Sequence, residues 1–154
     1  MLKLDSNWSA NYTFSMDNTV IFALCSRVME NGNRLIMSEL GKNGLQGIAP
    51  SHGDIFVELF RNDGCSMGDL AGRIHRTKST VTALVDKLER LGYVYREKSA
   101  GDARGTNVYL TPQGWEMQAA FQCISAELLR LASSRLTDTE IRQLEELLQK
   151  LLSE

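Results

Sequence analysis

The 154-residue sequence predicts a mainly α-helical fold with one small β-hairpin, and three observations carry that reading. Apolar residues recur at three- and four-residue spacing through most of the chain, the mark of helices with one buried side. Only two short runs, Tyr93 to Lys98 and Thr106 to Leu110, are instead rich in valine and tyrosine, and a turn-forming SAGDARG lies between them. Helix-start signals stand where the helical periodicity begins, among them Thr111-Pro112 and the pair Thr137 and Glu140.

The elements follow in order. Ile21, Leu24, Cys25, Val28, Leu35, Ile36 and Leu40 keep helical register from about Ser15 to Leu40. Asn31-Gly32-Asn33 weakens that helix, since glycine costs about 1 kcal/mol in a helix interior and marks a point of bending. Gly41, Gly44 and Gly47 end it, and Pro50 suits the first position of a second helix reaching about Asn62, with Ile55, Phe56, Leu59 and Phe60 inward. Asn62-Asp63-Gly64 is a turn. Ser66 to Asp69 resembles a capping box, and Met67, Leu70, Ala71 and Ile74 give a short helix with one apolar stripe.

A brief turn, His75 to Thr77, leads into Arg76 to Gly92, the stretch on which function turns. Val81, Leu84, Val85, Leu88 and Leu91 form its buried side, while Lys78, Ser79, Thr80 and Thr82 make a polar amino end, with Lys87 and Arg90 further along. A helix amino terminus favours phosphate through its free amides and dipole, and short hydroxyl side chains there approach base edges closely. In isolation the stretch reads equally as an ordinary amphipathic surface helix. Its neighbours favour recognition: a short helix, a tight turn and a longer helix with a polar start form a helix-turn-helix, and the basic hairpin that follows is a wing.

Thr111-Pro112 opens a helix to about Ser133 through Met117, Phe121, Ile124, Leu128 and Leu131, with Leu110 placed to staple against Trp115. The last helix carries a capping box at Thr137 and Glu140, a staple of Leu136 and Ile141, and a stripe of Ile141, Leu144, Leu147, Leu148, Leu151 and Leu152. That stripe packs either on this chain's first helix or on the terminal helices of a second copy, and two-fold symmetry suits a DNA reader. The expected division is 1–46, a helical dimerisation and pocket segment; 47–111, a winged helix-turn-helix; and 112–154, carboxy-terminal dimerisation helices.

Composition narrows the function classes. With 43% hydrophobic residues the chain can bury a core. The opening MLKLDSNWSANYTF has no continuous apolar run and no stretch is long enough to span a bilayer, so a cytoplasmic protein with no membrane partner is expected. Net charge is −2, yet between Arg61 and Leu110 nine basic residues outnumber six acids, which leaves a basic surface inside an acidic chain. Cys25, Cys65 and Cys123 are odd in number, widely spaced and without C-x-x-C, so buried free thiols are expected rather than disulfides or a zinc knuckle. His52 and His75 are the only histidines, and no nucleophile motif, phosphate loop or ligand spacing accompanies them. Neither an enzyme nor a metal or other cofactor is expected.

Two runs carry more than spacing: IAPSHGDIFVEL, and MGDLAGRIHRTKSTVTALVDKLERLGYVYREKSAGDARGTNVYLTPQG. Leu70-Ala71, the KSTVT of Lys78 to Thr82, LVDKLERLGYV, the D-x-R of Asp102 and Arg104, and LTPQG occur in order, and the region from Ile48 to Gly114 resembles the MarR family of bacterial winged-helix regulators. The resemblance implies a homodimer joined through its terminal helices, with recognition helices in successive major grooves of an operator and wing arginines in the minor groove. Ser79, Thr80 and Thr82 fall where the family contacts bases and backbone, Arg104 on its minor-groove arginine, and Asp102 where an acid supports the wing tip. Arg76, Lys78, Lys87 and Arg96 complete the expected DNA-binding set. Ala103 stands where many members have another basic residue. Gly53 takes a position often filled by a large side chain, which leaves room for a ligand beside His52.

The signal expected is a small phenolic or lipophilic effector that releases a repressor from DNA, bound among Arg27, Met37, His52, Phe56 and Trp115. The alternative is a thiol-based redox sensor on the same fold. Against it, Cys25 lies in the apolar stripe, and the family's reactive cysteine would fall near Thr19, about two turns before Ser26-Arg27. Metal sensing through His52, His75, Cys25 or Cys65 finds no support in the spacing.

Overall fold

The computed structural model describes residues 20–98 and 105–153. Their elements are α1 (Val20–Lys42), α2 (Pro50–Arg61), β1 (Cys65–Ser66), α3 (Met67–Arg73), α4 (Lys78–Arg90), β2 (Val94–Lys98), β3 (Thr106–Leu110), α5 (Pro112–Ser133) and α6 (Asp138–Leu152). The described residues fall into two units that meet between Arg34 and Leu35. In the first, α1 exposes Val20, Ile21, Phe22, Leu24, Val28 and Met29, and Cys25 is half-buried. Asn31-Gly32-Asn33 does not interrupt the helix; Arg34 donates a hydrogen bond to the Asn31 side chain across the weak turn.

The second unit is built on α2. Pro50 sits in its first turn as expected, but the cap is supplied from inside the helix: the His52 imidazole Nδ1 accepts the Ala49 N–H at 3.0 Å. Ile55, Phe56 and Leu59 then join Leu70 and Ala71 of α3, Val81, Val85 and Leu88 of α4, Val94, Val108 and Leu110 of the sheet, and Met117 and Ile124 of α5 in one core. Glu58 ties α2 to α3, accepting from Arg73 Nη1 at 2.6 Å and from Asn62 Nδ2 at 3.0 Å. A buried carboxylate is tolerated only with such partners.

The expected hairpin is one edge of a three-stranded antiparallel sheet, ordered β1-β3-β2. β2 and β3 pair from Val94↔Leu110 to Lys98↔Thr106, and Cys65 and Ser66 add a two-residue strand opposite Val108 and Asn107. Two residues are too few to show a period of two, which is why β1 is silent in the sequence pattern. Arg96, Val108 and their neighbours share the face toward α4, and Tyr95 stacks on Tyr109 with centroids 5.4 Å apart on the other. Gly64 (φ +82°) turns the chain into β1, where a Cβ would come within 2.5 Å of the Tyr109 ring.

Thr111 caps α5, accepting from the Gly114 N–H at 3.0 Å while its hydroxyl donates to the Gly92 carbonyl at 2.6 Å. The Trp115 ring lies 5.9 Å from that of Phe60. α6 has the expected capping box, with Glu140 Oε2 accepting the Thr137 N–H at 2.8 Å. No residue of α6 is buried, and Leu147 and Leu151 are each 58% exposed, so the leucine stripe lies open. The expectation of buried thiols holds for Cys65 alone, whose Sγ–H donates to the Asn62 carbonyl; Cys123 falls on the outer side of α5. No described helix is long and apolar enough to cross a membrane.

Candidate nucleic-acid interface

α4 presents its polar amino end because the other side is pinned. Val81, Val85 and Leu88 are wholly buried, which turns Ser79 outward with Thr80 and Thr82 on either flank. Thr77, which the expected site omitted, organises this end: its Oγ1 accepts the Thr80 N–H at 3.2 Å and lies 2.9 Å from both the Ser79 and Thr80 hydroxyls. The signal was a threonine just before an apolar period, the usual cap. Three hydroxyls thus cluster over the free amides of the first turn. Each hydroxyl has one donor and two acceptor positions, so each keeps capacity for a phosphate or a base edge. The Thr82 hydroxyl donates to the Lys78 carbonyl at 2.8 Å, which leaves its lone pairs to accept from a base amino group.

Arg76 and Lys78 are exposed at the same end. Lys87 does not join them. Nine residues beyond Lys78, it lies half a turn round and about 13 Å along, half-buried, with its stem 3.9 Å from where a Gly47 side chain would begin. Arg90 takes the outward position instead, three turns after Ser79 on the same face, exposed. Arg96, also expected to contact DNA, reaches back to this helix from β2. Its guanidinium is committed to α4, where it pairs with Glu89 at 2.9 Å and with Asp86. Asp102, Ala103 and Arg104, at the hairpin tip between β2 and β3, lie outside the described residues.

The expected ligand residues differ in exposure. His52 and Phe56 are buried in α2, Met37 and Trp115 are exposed, and Arg27 is an exposed residue of the first unit. Phe56 packs on Phe121 at 4.9 Å and edge-on to Tyr93 at 5.7 Å. A Cβ at Gly53 would make ordinary van der Waals contact with the Phe121 ring at 3.5 Å. Burial holds the His52 imidazole below its ordinary range, opposed by the Ala49 carbonyl and aided by the Lys87 charge. Its role as cap acceptor requires that neutral ring.

Burial pushes the Glu58 carboxyl upward, but its hydrogen bonds to Arg73 and Asn62 and the Arg73 and Arg61 charges outweigh burial and hold it below the ordinary carboxylate range. Burial and the Glu58 charge push the Cys65 thiol up, which leaves it a poor nucleophile. Among the described residues, no three His, Cys, Asp or Glu side chains come together to hold a metal ion.

Known proteins resemble this chain in sequence and in fold. The model of the MarR family matches residues 46–105. The transcriptional repressor MprA of Escherichia coli (strain K12) is 27% identical over 149 residues, covering 94% of this chain and 82% of MprA. A mutant of Escherichia coli MarR complexed with operator DNA superposes with a TM-score of 0.79 at 22% identity, covering 89% of this chain and 96% of that one. The PcaV regulator of Streptomyces coelicolor in complex with its natural ligand gives a TM-score of 0.72 at 17% identity, covering 84% and 89%.

Proposed function

The chain belongs to the MarR family of DNA-binding transcriptional regulators, and from that premise we propose that it is a repressor that binds a pseudo-palindromic operator as a homodimer and is released by a small-molecule ligand. One observation carries the DNA reading: the exposed cluster of Thr77, Ser79, Thr80 and Thr82 at the amino end of α4, on a helix whose other side is wholly buried. Such an end offers free amides, a favourable dipole and short hydroxyls to the major groove. Arg76, Lys78 and Arg90 add the phosphate contacts that dominate affinity, and Arg104 at the hairpin tip reaches the minor groove.

The dimer reading rests on the open stripe of Leu144, Leu147 and Leu151 and on the exposed apolar side of α1, which a second copy would cover. These helices flank a DNA-binding segment of residues 47–111. The repressor reading draws on MprA, and the ligand reading on PcaV. The effector proposed is phenolic or lipophilic, and Met37 and Trp115 are the exposed apolar members of the expected set.

Selection of bound fragments from random duplex DNA, followed by footprinting, tests the proposal. A two-fold dimer protects two half-sites with centres about 10 base pairs apart on one face of the duplex. Protection of a single asymmetric half-site would contradict it. Repeating the selection with phenolic and lipophilic compounds tests release.

A further inference from the structure

α4 carries two carboxylates on the strip that bears Thr82. Asp86 and Glu89 follow it by four and seven residues, one and two turns on, about 6 and 10 Å along the axis. They remain 41% and 39% exposed. Carboxylates so placed would repel a phosphate chain, since about 10 Å is a single screening length at 0.1 M salt. Both are held from the wing. Arg96 of β2 donates through Nη1 to Glu89 Oε2 at 2.9 Å and through Nη2 to Asp86 Oδ1, and Nη2 lies 3.5 Å from the Thr82 carbonyl. One planar cation thus spans two turns of the recognition helix, and its strand runs on to the hairpin tip.

We propose that Arg96 is a positioning residue for DNA reading: it clasps the wing to the recognition helix, so that the two elements meet the duplex in a fixed relation, and neutralises the acid pair on that helix. The inference rests on the regulator reading above. Its rival is a direct Arg96–phosphate contact, and the two make opposite predictions for the acids. If Arg96 touches DNA, removing Asp86 and Glu89 frees it and strengthens binding to any sequence. If Arg96 clasps, removing them opens the clasp: binding to mixed sequence rises with the lost negative charge, and binding to the operator falls because the wing is no longer held.

The test uses the full chain and two probes: the duplex most enriched from random DNA by the unmodified protein, and a mixed-sequence duplex of equal length at the same salt. The double variant Asp86→Asn with Glu89→Gln keeps Arg96 and every hydroxyl of α4. Its ratio of operator to mixed-sequence affinity should fall about tenfold. Arg96→Met should lower the ratio similarly, and adding it to the double variant should lower it little further. Arg96→Lys keeps the charge without the fork and should fall between. Circular dichroism melts confirm that each variant is folded. An unchanged or raised ratio in the double variant overturns the clasp. So does a further drop of about tenfold when Arg96→Met is added, which would mean that Arg96 touches DNA itself. Failure of the unmodified chain to select any sequence would remove the regulator reading, a different result from either.

Discussion

Replacing Gly114 by alanine should destabilise the protein, although the position is helical. In an open helix the change gains about 1 kcal/mol from propensity. Here the new Cβ would stand 2.1 Å from the Tyr93 carbonyl oxygen and 3.0 Å from Leu110 Cδ2. The first is a backbone atom that accepts the Thr111 N–H at 3.0 Å, so it cannot swing away without breaking the junction between β3 and α5. Relief therefore requires moving the start of α5, and overpacking of this kind costs about 1–3 kcal/mol. A 2.1 Å approach to a backbone atom calls for the upper end of that range, and the net loss of about 2 kcal/mol left after the propensity gain corresponds to a melting point lower by about 4–8 °C for a chain of this size. Urea and thermal melts at one fixed protein concentration measure it, with the exposed neighbour Gln113→Ala as a control expected within about 0.5 kcal/mol. A Gly114→Ala protein as stable as the wild type would refute the packing argument at this junction.

Other outcomes follow from the same structure. Leu147→Glu with Leu151→Glu should give a folded monomer that loses operator binding, and light scattering that finds the wild type itself monomeric at micromolar concentration would sink the dimer. His52 is depressed by burial, so its neutral ring contributes full stability above the ordinary value of 6.5, and that contribution is lost as pH falls toward the folded value; Glu58, also depressed, loses its contribution at lower pH, as it protonates below the usual carboxylate range. Stability measured from pH 8 to 3 should fall in those two stages, and His52→Gln should flatten the first and Glu58→Gln the second. Arg104→Ala should weaken binding to many sequences and reduce the salt slope by about one unit, leaving the ranking of operators intact; an unchanged slope would mean that the wing tip does not touch DNA.

What was legible in the sequence was local. Thr111-Pro112, Thr137 with Glu140, and Ser66 with Asp69 announce helix starts because cap and amide lie three residues apart in the chain. The apolar period of Val81, Val85 and Leu88 announced the buried side of α4, and hence which hydroxyls face out. What needed the fold was made across elements. Arg96 looked like any wing cation until β2 laid it across Asp86 and Glu89, ten and seven residues away. That Gly53 faces the Phe121 ring, distant in the chain, needed the fold as well. Ala49 has no capping side chain, so the start of α2 depends on an imidazole that the usual rules do not count as a cap.

The central claim is that the amino end of α4 reads base sequence, and Thr82→Val tests it most directly. The substitution keeps the shape and removes one exposed hydroxyl, whose only bond among the described residues is to a helix carbonyl, so stability should change by no more than about 0.5 kcal/mol. Affinities for the selected operator and for a set of single-base variants should show a shift of about 1–3 kcal/mol confined to one or two base pairs per half-site, with the salt slope unchanged. A uniform change across all variants, or none at all, would contradict the claim.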